Sequence, residues 1–327
     1  EIKIRLLWTY MYVFCVLAWR ILFLAMEEDG FQLVCRKKAA RSRKVENKRF
    51  PVDDTETWDE AELRACKSRL DIARDELRAS KFMTGFQAKL DTLISIWTTA
   101  KLLGTNPAPA TGGGCDQDAT KGTEHEPGRI DVVCYGIGPF AQSLQARHQM
   151  GALMLLVKYL QDRHLLQDRF LYDPVLQRGE ADIVQELGFE LIKVNEEGRR
   201  RVVRPTLFFM PHCGRSLYEN VLASNWSCKQ LHFVAIIGNE FSSYLHRMPT
   251  HVFRSETPHL AHGQSIVSEL EILPGEFMES FNDSALHVFD QHKLPAEGDA
   301  FWTCSVGSFQ DDDHVSSQQL SGWRWAT

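Results

Sequence analysis

Hydrophobic and polar positions divide the chain into zones of different period. Leu6 to Trp19 is an almost unbroken apolar run; Arg20 interrupts it and Ile21 to Met26 resumes it. The whole stretch is long enough to cross a bilayer, which takes about 20 apolar residues, although an Arg at that depth is costly. Three readings stand: a gene-model extension ahead of a start at Met26, a membrane anchor, or a signal segment. Extension is the expected one, because Glu27-Glu28-Asp29-Gly30 opens like an ordinary polar terminus and no small-residue cleavage site follows the apolar run. Residues 36–49 then carry eight Lys and Arg against Glu46 alone, and residues 53–62 carry six acids and no base. The basic block fits a solvated tail first, and a localisation signal or phosphate-binding arm second.

From Thr55 the period becomes helical. Thr55 is the expected cap, with acids in the first turn. Leu63, Leu70 and Leu77 recur every seven residues, and Phe82, Phe86, Leu90 and Ile94 every four. One or two amphipathic helices reaching about Leu103 follow, and they are expected to pack on the domain after them. Gly104 to Gly128 is rich in Gly and Pro and nearly free of large apolar side chains, as linkers are.

After Arg129 short β-rich runs alternate with helical ones. Strands are expected at Ile130–Tyr135, Phe170–Tyr172, Phe189–Val194, Thr206–Met210, Leu231–Ile237 and Leu286–Phe289. Helices are expected over Pro139–Arg163, Gly179–Leu187 and Arg215–Ser224. This alternation predicts an α/β fold: a Rossmann-like, mostly parallel sheet with flanking helices, preceded by a helical N-terminal segment. The expected organisation is a charged extension over 1–54, a helical segment over 55–103, a linker over 104–129, the α/β domain over 130–295 and a loose tail over 296–327.

Composition narrows the function classes. A hydrophobic fraction of 44% and a charged fraction of 24% are ordinary for a globular protein in 327 residues. Lys plus Arg total 37 against 43 Asp plus Glu, a net charge of −6, so a chain-wide basic footprint for nucleic acid is excluded. Eight Cys are scattered without a CxxC, which argues against a disulfide scaffold or zinc finger and for a reducing compartment. Asn225-Trp226-Ser227 and Asn282-Asp283-Ser284 match the glycosylation pattern, but that cysteine usage speaks against secretion.

In a parallel sheet, ligands bind beyond the carboxyl ends of the strands. The first strand ends in Gly136-Ile137-Gly138-Pro139-Phe140-Ala141, a G-x-G-x-x-A run between a strand and a helix, suited to close approach by a phosphate. No acid follows about 20 residues on; Asp173, ending the second strand, either serves a ribose or starts the turn at Pro174. The fourth strand ends in Met210-Pro211-His212-Cys213-Gly214, where His212 and Cys213 read either as a base and a low-pKa thiol or as structural residues. The fifth ends in Gly238-Asn239-Glu240, which reads as a polar recognition wall or a turn. Gly136, Gly138, Asp173, His212 and Asn239 are therefore the candidate cofactor-binding residues, for a nucleotide or S-adenosylmethionine-like molecule. No metal site is expected, since His251, His259 and His262 lie in a polar loop. Glu269 and Glu271 read as a solvated face.

Several spaced groups carry a family resemblance. Tyr135-Gly136-Ile137-Gly138 with Phe140, Ser143, Ala146-Arg147 and Gln149 resembles the opening of the "sensitivity to red light reduced" domain. Tyr172-Asp173-Pro174-Val175, Met210-Pro211-His212-Cys213, Leu217-Tyr218, Asn225-Trp226 and Ile237-Gly238-Asn239 are similar to the rest of it, over about residues 130 to 295. Asn239-Glu240-Phe241 departs from the family's usual Asn-Ser-Phe. The resemblance implies a cytoplasmic or nuclear regulator tied to circadian clock-gene expression and haem biosynthesis. The alternative is a nucleotide- or S-adenosylmethionine-dependent enzyme of methyltransferase-like type. A small-molecule ligand is expected as partner, and neither nucleic acid nor membrane is.

Overall fold

In the computed structural model, residues 58–102 and 128–303 are described. The apolar run, the basic block, Thr55, the Gly- and Pro-rich segment through residue 127 and the chain after 303 lie outside them.

Helix α1 (Glu60–Arg78) starts at a capping box on Asp59. The Glu62 amide donates to Asp59 Oδ1 at 2.8 Å, and the Asp59 amide donates to Glu62 Oε2 at 2.9 Å, so two orphan donors are satisfied reciprocally. Its buried stripe is Cys66, Leu70, Ala73 and Leu77. Helix α2 (Lys81–Leu102) follows after a break at Ala79–Ser80 and buries Phe82, Phe86, Leu90 and Leu93. The α1 stripe lies against α3 (Leu144–Asp162) at Gly151. A Cβ at Gly151 would stand 3.1 Å from Leu77 Cδ1 and 3.2 Å from the Arg74 backbone, closer than side chains ordinarily pack, so glycine suits this approach. The helical segment does pack on the domain behind it.

Seven strands form one sheet: β1 (Ile130–Tyr135), β2 (Leu166–Tyr172), β3 (Glu190–Leu191), β4 (Thr206–Met210), β5 (Val234–Asn239), β6 (Ser268–Ile272) and β7 (Ser284–Val288). Their order is β3-β2-β1-β4-β5-β7-β6. The first five are mutually parallel, and β7 runs antiparallel to both β5 and β6. Chain order reverses between β1 and β4, the switch point at which open α/β sheets bind ligands. Alternate residues of the central strands feed two cores. Val132, Cys134, Leu207, Phe209 and Ile237 join α1, α2 and α3 on one face. Val133, Tyr135, Phe208, Met210 and Ile236 join α5 (Arg215–Ser224) on the other. Near-continuous burial along β1, β4 and β5 is what a sheet covered on both faces requires.

Three departures from the expected elements have local causes. Helix α3 begins at Leu144, not Pro139, because the Pro139 carbonyl accepts the amides of Gln142 and Ser143 in a turn and Ser143 then caps the helix. Strand β3 keeps only two paired residues at its edge. Glu269 and Glu271, read as a solvated face, lie in the edge strand β6, whose Ile272 is buried. Among the described residues, no helix is long and apolar enough to cross a membrane. Of the segment expected as a tail, Ala300–Trp302 form a 3-10 turn whose Phe301 stacks on Trp226, with ring centroids 5.5 Å apart.

Candidate functional site

All five candidate residues sit on the carboxyl edge of the sheet, and hydrogen bonds join them into two clamps. The first links β1 to β2. Gly136 and Gly138 adopt φ of +70° and +78°, the left-handed region that glycine enters without strain. Their turn is pinned by Asp173, which is 3% exposed: Oδ2 accepts the Gly138 amide at 2.6 Å and Oδ1 accepts the Val175 amide at 2.9 Å. Glu180, fully buried, accepts the Ala141 amide at 2.7 Å and, through its other oxygen, the Gln177 amide at 2.9 Å. Burial pushes the Glu180 carboxyl up, against the pull of those two amides.

These contacts change the expected role of the glycine turn. A phosphate-binding loop aims free amides at its anion. Here the Gly138 and Ala141 amides are already bonded to carboxylates, whose negative charge opposes a phosphate beside them. The turn allows close approach, but its anion donors are spent internally. Asp173 holds this turn, with its carboxylate fixed at the β2 end.

The second clamp links β4 to β5. Asn239 Oδ1 accepts the His212 amide at 2.9 Å. Asn239 Nδ2 donates to the Cys213 carbonyl and to Tyr244 Oη, both at 3.1 Å. The Asn239 amide in turn donates to Tyr218 Oη at 3.0 Å. His212 is held at φ +55°, a strained conformation for a non-glycine residue that costs on the order of 1 kcal/mol. Cys213 joins the two clamps. Its Sγ donates to the Tyr135 carbonyl at 3.2 Å and lies where a Gly136 Cβ would come within 2.7 Å. Burial, with Asp173 adding to it, pushes the Cys213 pKa up to about 12, opposite to the low-pKa thiol reading.

The sequence left Ser280 unnoticed. It lies in α10 (Met278–Phe281), on the β6–β7 connection, which runs along this same edge. Its carbonyl accepts His212 Nε2 and Gln149 Nε2, each at 3.0 Å, and its Oγ lies 3.1 Å from His148 Nδ1. Phe277 and Phe281 anchor this connection on Phe82 of α2, at centroid distances of 5.8 and 4.4 Å. Only the alternating polar pattern of Ser268–Ile272 hinted that a hairpin returned here.

Other candidates are spoken for. His259 Nδ1 lies 2.6 Å from Glu219 Oε1, and among the described residues no three His, Cys, Asp or Glu side chains are arranged to hold a metal. Burial, then Glu269, Asp283 and Glu271, push the Glu240 carboxyl up. Surface depressions of about 560 and 480 Å³ lie along α1 and at the amino end of β2, away from these residues. Polar convergence, not cavity size, marks the carboxyl edge.

Residues 101–288 match the model of the SRR1 domain. A mouse SRR1-like protein is 38% identical over 133 residues, 40% of this chain and 53% of the relative. Arabidopsis Protein SENSITIVITY TO RED LIGHT REDUCED 1 is 32% identical over 168 residues, 49% of this chain and 59% of the relative. A Drosophila SRR1-like protein is 29% identical over 193 residues, 58% of this chain and 67% of the relative. The match therefore spans little more than half the length of the mouse and Arabidopsis relatives. No solved structure matches the chain. The domain match covers more than half of the sequence and contains both clamps, and the chain belongs to the SRR1 family.

Proposed function

We propose that this is a ligand-sensing regulatory protein whose carboxyl-edge crevice takes an adenosine-type molecule lacking phosphate there, with S-adenosylmethionine as the best-fitting example. The observation that carries the reading is the convergence of Gly136, Gly138, Asp173, His212 and Asn239 at the β1–β4 switch point. The bonded Gly138 and Ala141 amides favour a ligand without phosphate over a dinucleotide. Family membership supports a regulatory role, and the red-light name of the Arabidopsis relative fits one. Roles in clock-gene expression and haem biosynthesis, and a cytoplasmic or nuclear location, follow from the family resemblance and are part of the proposal.

The methyltransferase-like reading keeps one specific support. The chain order reverses between β1 and β4, the switch point at which an open parallel sheet takes a nucleotide-like cofactor. That is a likeness of fold, and one fold hosts many functions. At this edge the Cys213 thiol is buried, and the Ser280 hydroxyl that lies 3.1 Å from His148 Nδ1 is buried as well.

Calorimetry of the full chain against S-adenosylmethionine, adenosine, ATP, a nicotinamide dinucleotide and haem tests the reading. Binding of the first two with weaker or no binding of the phosphorylated ligands supports it; silence across the panel defeats it. Transfer of label from methyl-labelled S-adenosylmethionine to a protein or small-molecule acceptor would move the assignment to the enzyme.

A further inference from the structure

The ring of His212 is the side chain of the clamps that faces outward, and its proton position can be read from its partners. Nε2 lies 3.0 Å from the Ser280 carbonyl oxygen. A carbonyl only accepts, so Nε2 carries the proton. The same oxygen accepts Gln149 Nε2 at 3.0 Å, so both of its lone pairs are engaged. In the neutral ring Nδ1 is then a bare lone pair. His212 is exposed, and among the described residues its hydrogen bonds involve only its amide and Nε2. The residue is fixed at three points: the amide by Asn239, the backbone by its left-handed conformation and the ring by Ser280. Strain of this kind persists where the surroundings over-determine a residue and its orientation matters.

We infer that His212 presents Nδ1 as a hydrogen-bond acceptor of fixed direction, so that the group it reads is a neutral donor, an amine or hydroxyl, and not a phosphate oxygen. This rests on the ligand reading above and narrows it. A phosphate would meet a lone pair at Nδ1 and carboxylates behind the Gly138 and Ala141 amides, so all three elements reject the same chemistry. Ser280 is a positioning residue for His212, and it ties the crevice to the β6–β7 connection.

The test separates the two nitrogens. In His212→Gln the amide replaces the donor at Nε2 and removes the acceptor at Nδ1. In His212→Asn the carbonyl oxygen replaces Nδ1 and the bond to Ser280 is lost; Asn also tolerates the left-handed backbone. Long-range proton–nitrogen spectra of histidine-labelled full chain should show His212 with its proton on Nε2. His212→Gln, which keeps the bond to Ser280, should unfold only slightly earlier, by the added backbone strain, yet bind adenosine about fivefold more weakly, the effect of one neutral hydrogen bond. His212→Asn, which keeps an acceptor but loses the bond that fixes its direction, should unfold earlier and bind adenosine more weakly than wild type yet more tightly than His212→Gln. A proton on Nδ1 in the free protein, wild-type affinity in His212→Gln, or a His212 shift with inorganic phosphate but not adenosine would each overturn the inference. If the tautomer is as stated but neither adenosine nor S-adenosylmethionine binds wild type, the ligand reading itself falls and takes this specificity with it.

Discussion

Glu269 on β6 and His287 on β7 stand opposite each other in the antiparallel ladder, with Oε2 and Nε2 3.1 Å apart. His287 is fully buried, its Nδ1 lies 3.1 Å from the Ile236 carbonyl, and its ring stacks on Phe241 at 3.7 Å. Glu269 Oε2 also accepts the Phe241 amide at 2.6 Å and the Ser242 amide at 3.2 Å, at the start of α7 (Phe241–Arg247). One carboxylate therefore joins both strands of the edge hairpin to the helix after β5.

Acid should break this junction first. Burial works to raise the Glu269 carboxyl, but hydrogen bonds from His287 and Ser242 outweigh it and bring its pKa to about 2, from an ordinary 4.5. A depressed folded-state pKa gives stability that is full above the ordinary value and is lost as pH falls from about 4.5 towards 2. Glu269→Gln should remove on the order of 2 kcal/mol at neutral pH, after allowing for partial exposure. It should also flatten the acid limb, as read from urea midpoints between pH 7 and about pH 3. An unchanged acid limb in the variant would assign the acid sensitivity elsewhere.

Asn239→Ala should cost about 2–3 kcal/mol, because it leaves the His212 amide, the Cys213 carbonyl and Tyr244 Oη without their partner. Hydrogen exchange should rise at His212 and Cys213 before it rises in β4. Equal protection at both would mean that the loop holds itself.

Gly136 and Cys213 should be coupled. Gly136→Ala meets Cys213 Sγ at 2.7 Å and a φ of +70°, so it should destabilise by more than about 2 kcal/mol. Adding Cys213→Ala should recover part of this, leaving the backbone strain. A double-mutant cycle reads the recovery, and strict additivity would mean that the contact is slack.

Gly151 should behave as the seat of α1. Gly151→Val presses on Leu77 and on the Arg74 backbone, which cannot rotate aside as a side chain can. The variant should lose exchange protection in α1 selectively while β1 and β4 keep theirs, with a fall in melting temperature of several degrees. A uniform loss over the whole sheet would show that α1 folds as one unit with the domain.

Much of this fold is local enough to read along the chain. β1, β4 and α5 lie at Ile130–Tyr135, Thr206–Met210 and Arg215–Ser224, as their patterns predict, because each is a buried run or an apolar stripe bounded by its own punctuation. β6 escaped because Ser268-Glu269-Leu270-Glu271-Ile272 places its charges where an edge strand alternates, and such a strand shares its polarity with a loop. The convergence of the five site residues follows from the strand-end rule. What occupies them does not. That Asp173 and Glu180 fill the Gly138 and Ala141 amides, and that Ser280 holds His212, depends on contacts 35 to 68 residues apart in sequence.

Asn225 gives the Asn225-Trp226-Ser227 triplet a meaning that its pattern alone does not carry. The side chain is wholly buried, with Oδ1 accepting the Val202 amide at 2.8 Å and Nδ2 donating to the carbonyls of Arg200 and Val221. Every polar atom a sugar would need is built into the core between β3 and α5. A glycan could be attached only to an unfolded chain, and once attached it would keep that chain from closing. Occupancy at this triplet would therefore report failure to fold: sugar-bearing and native molecules would be separate populations, and no purified folded sample should contain both.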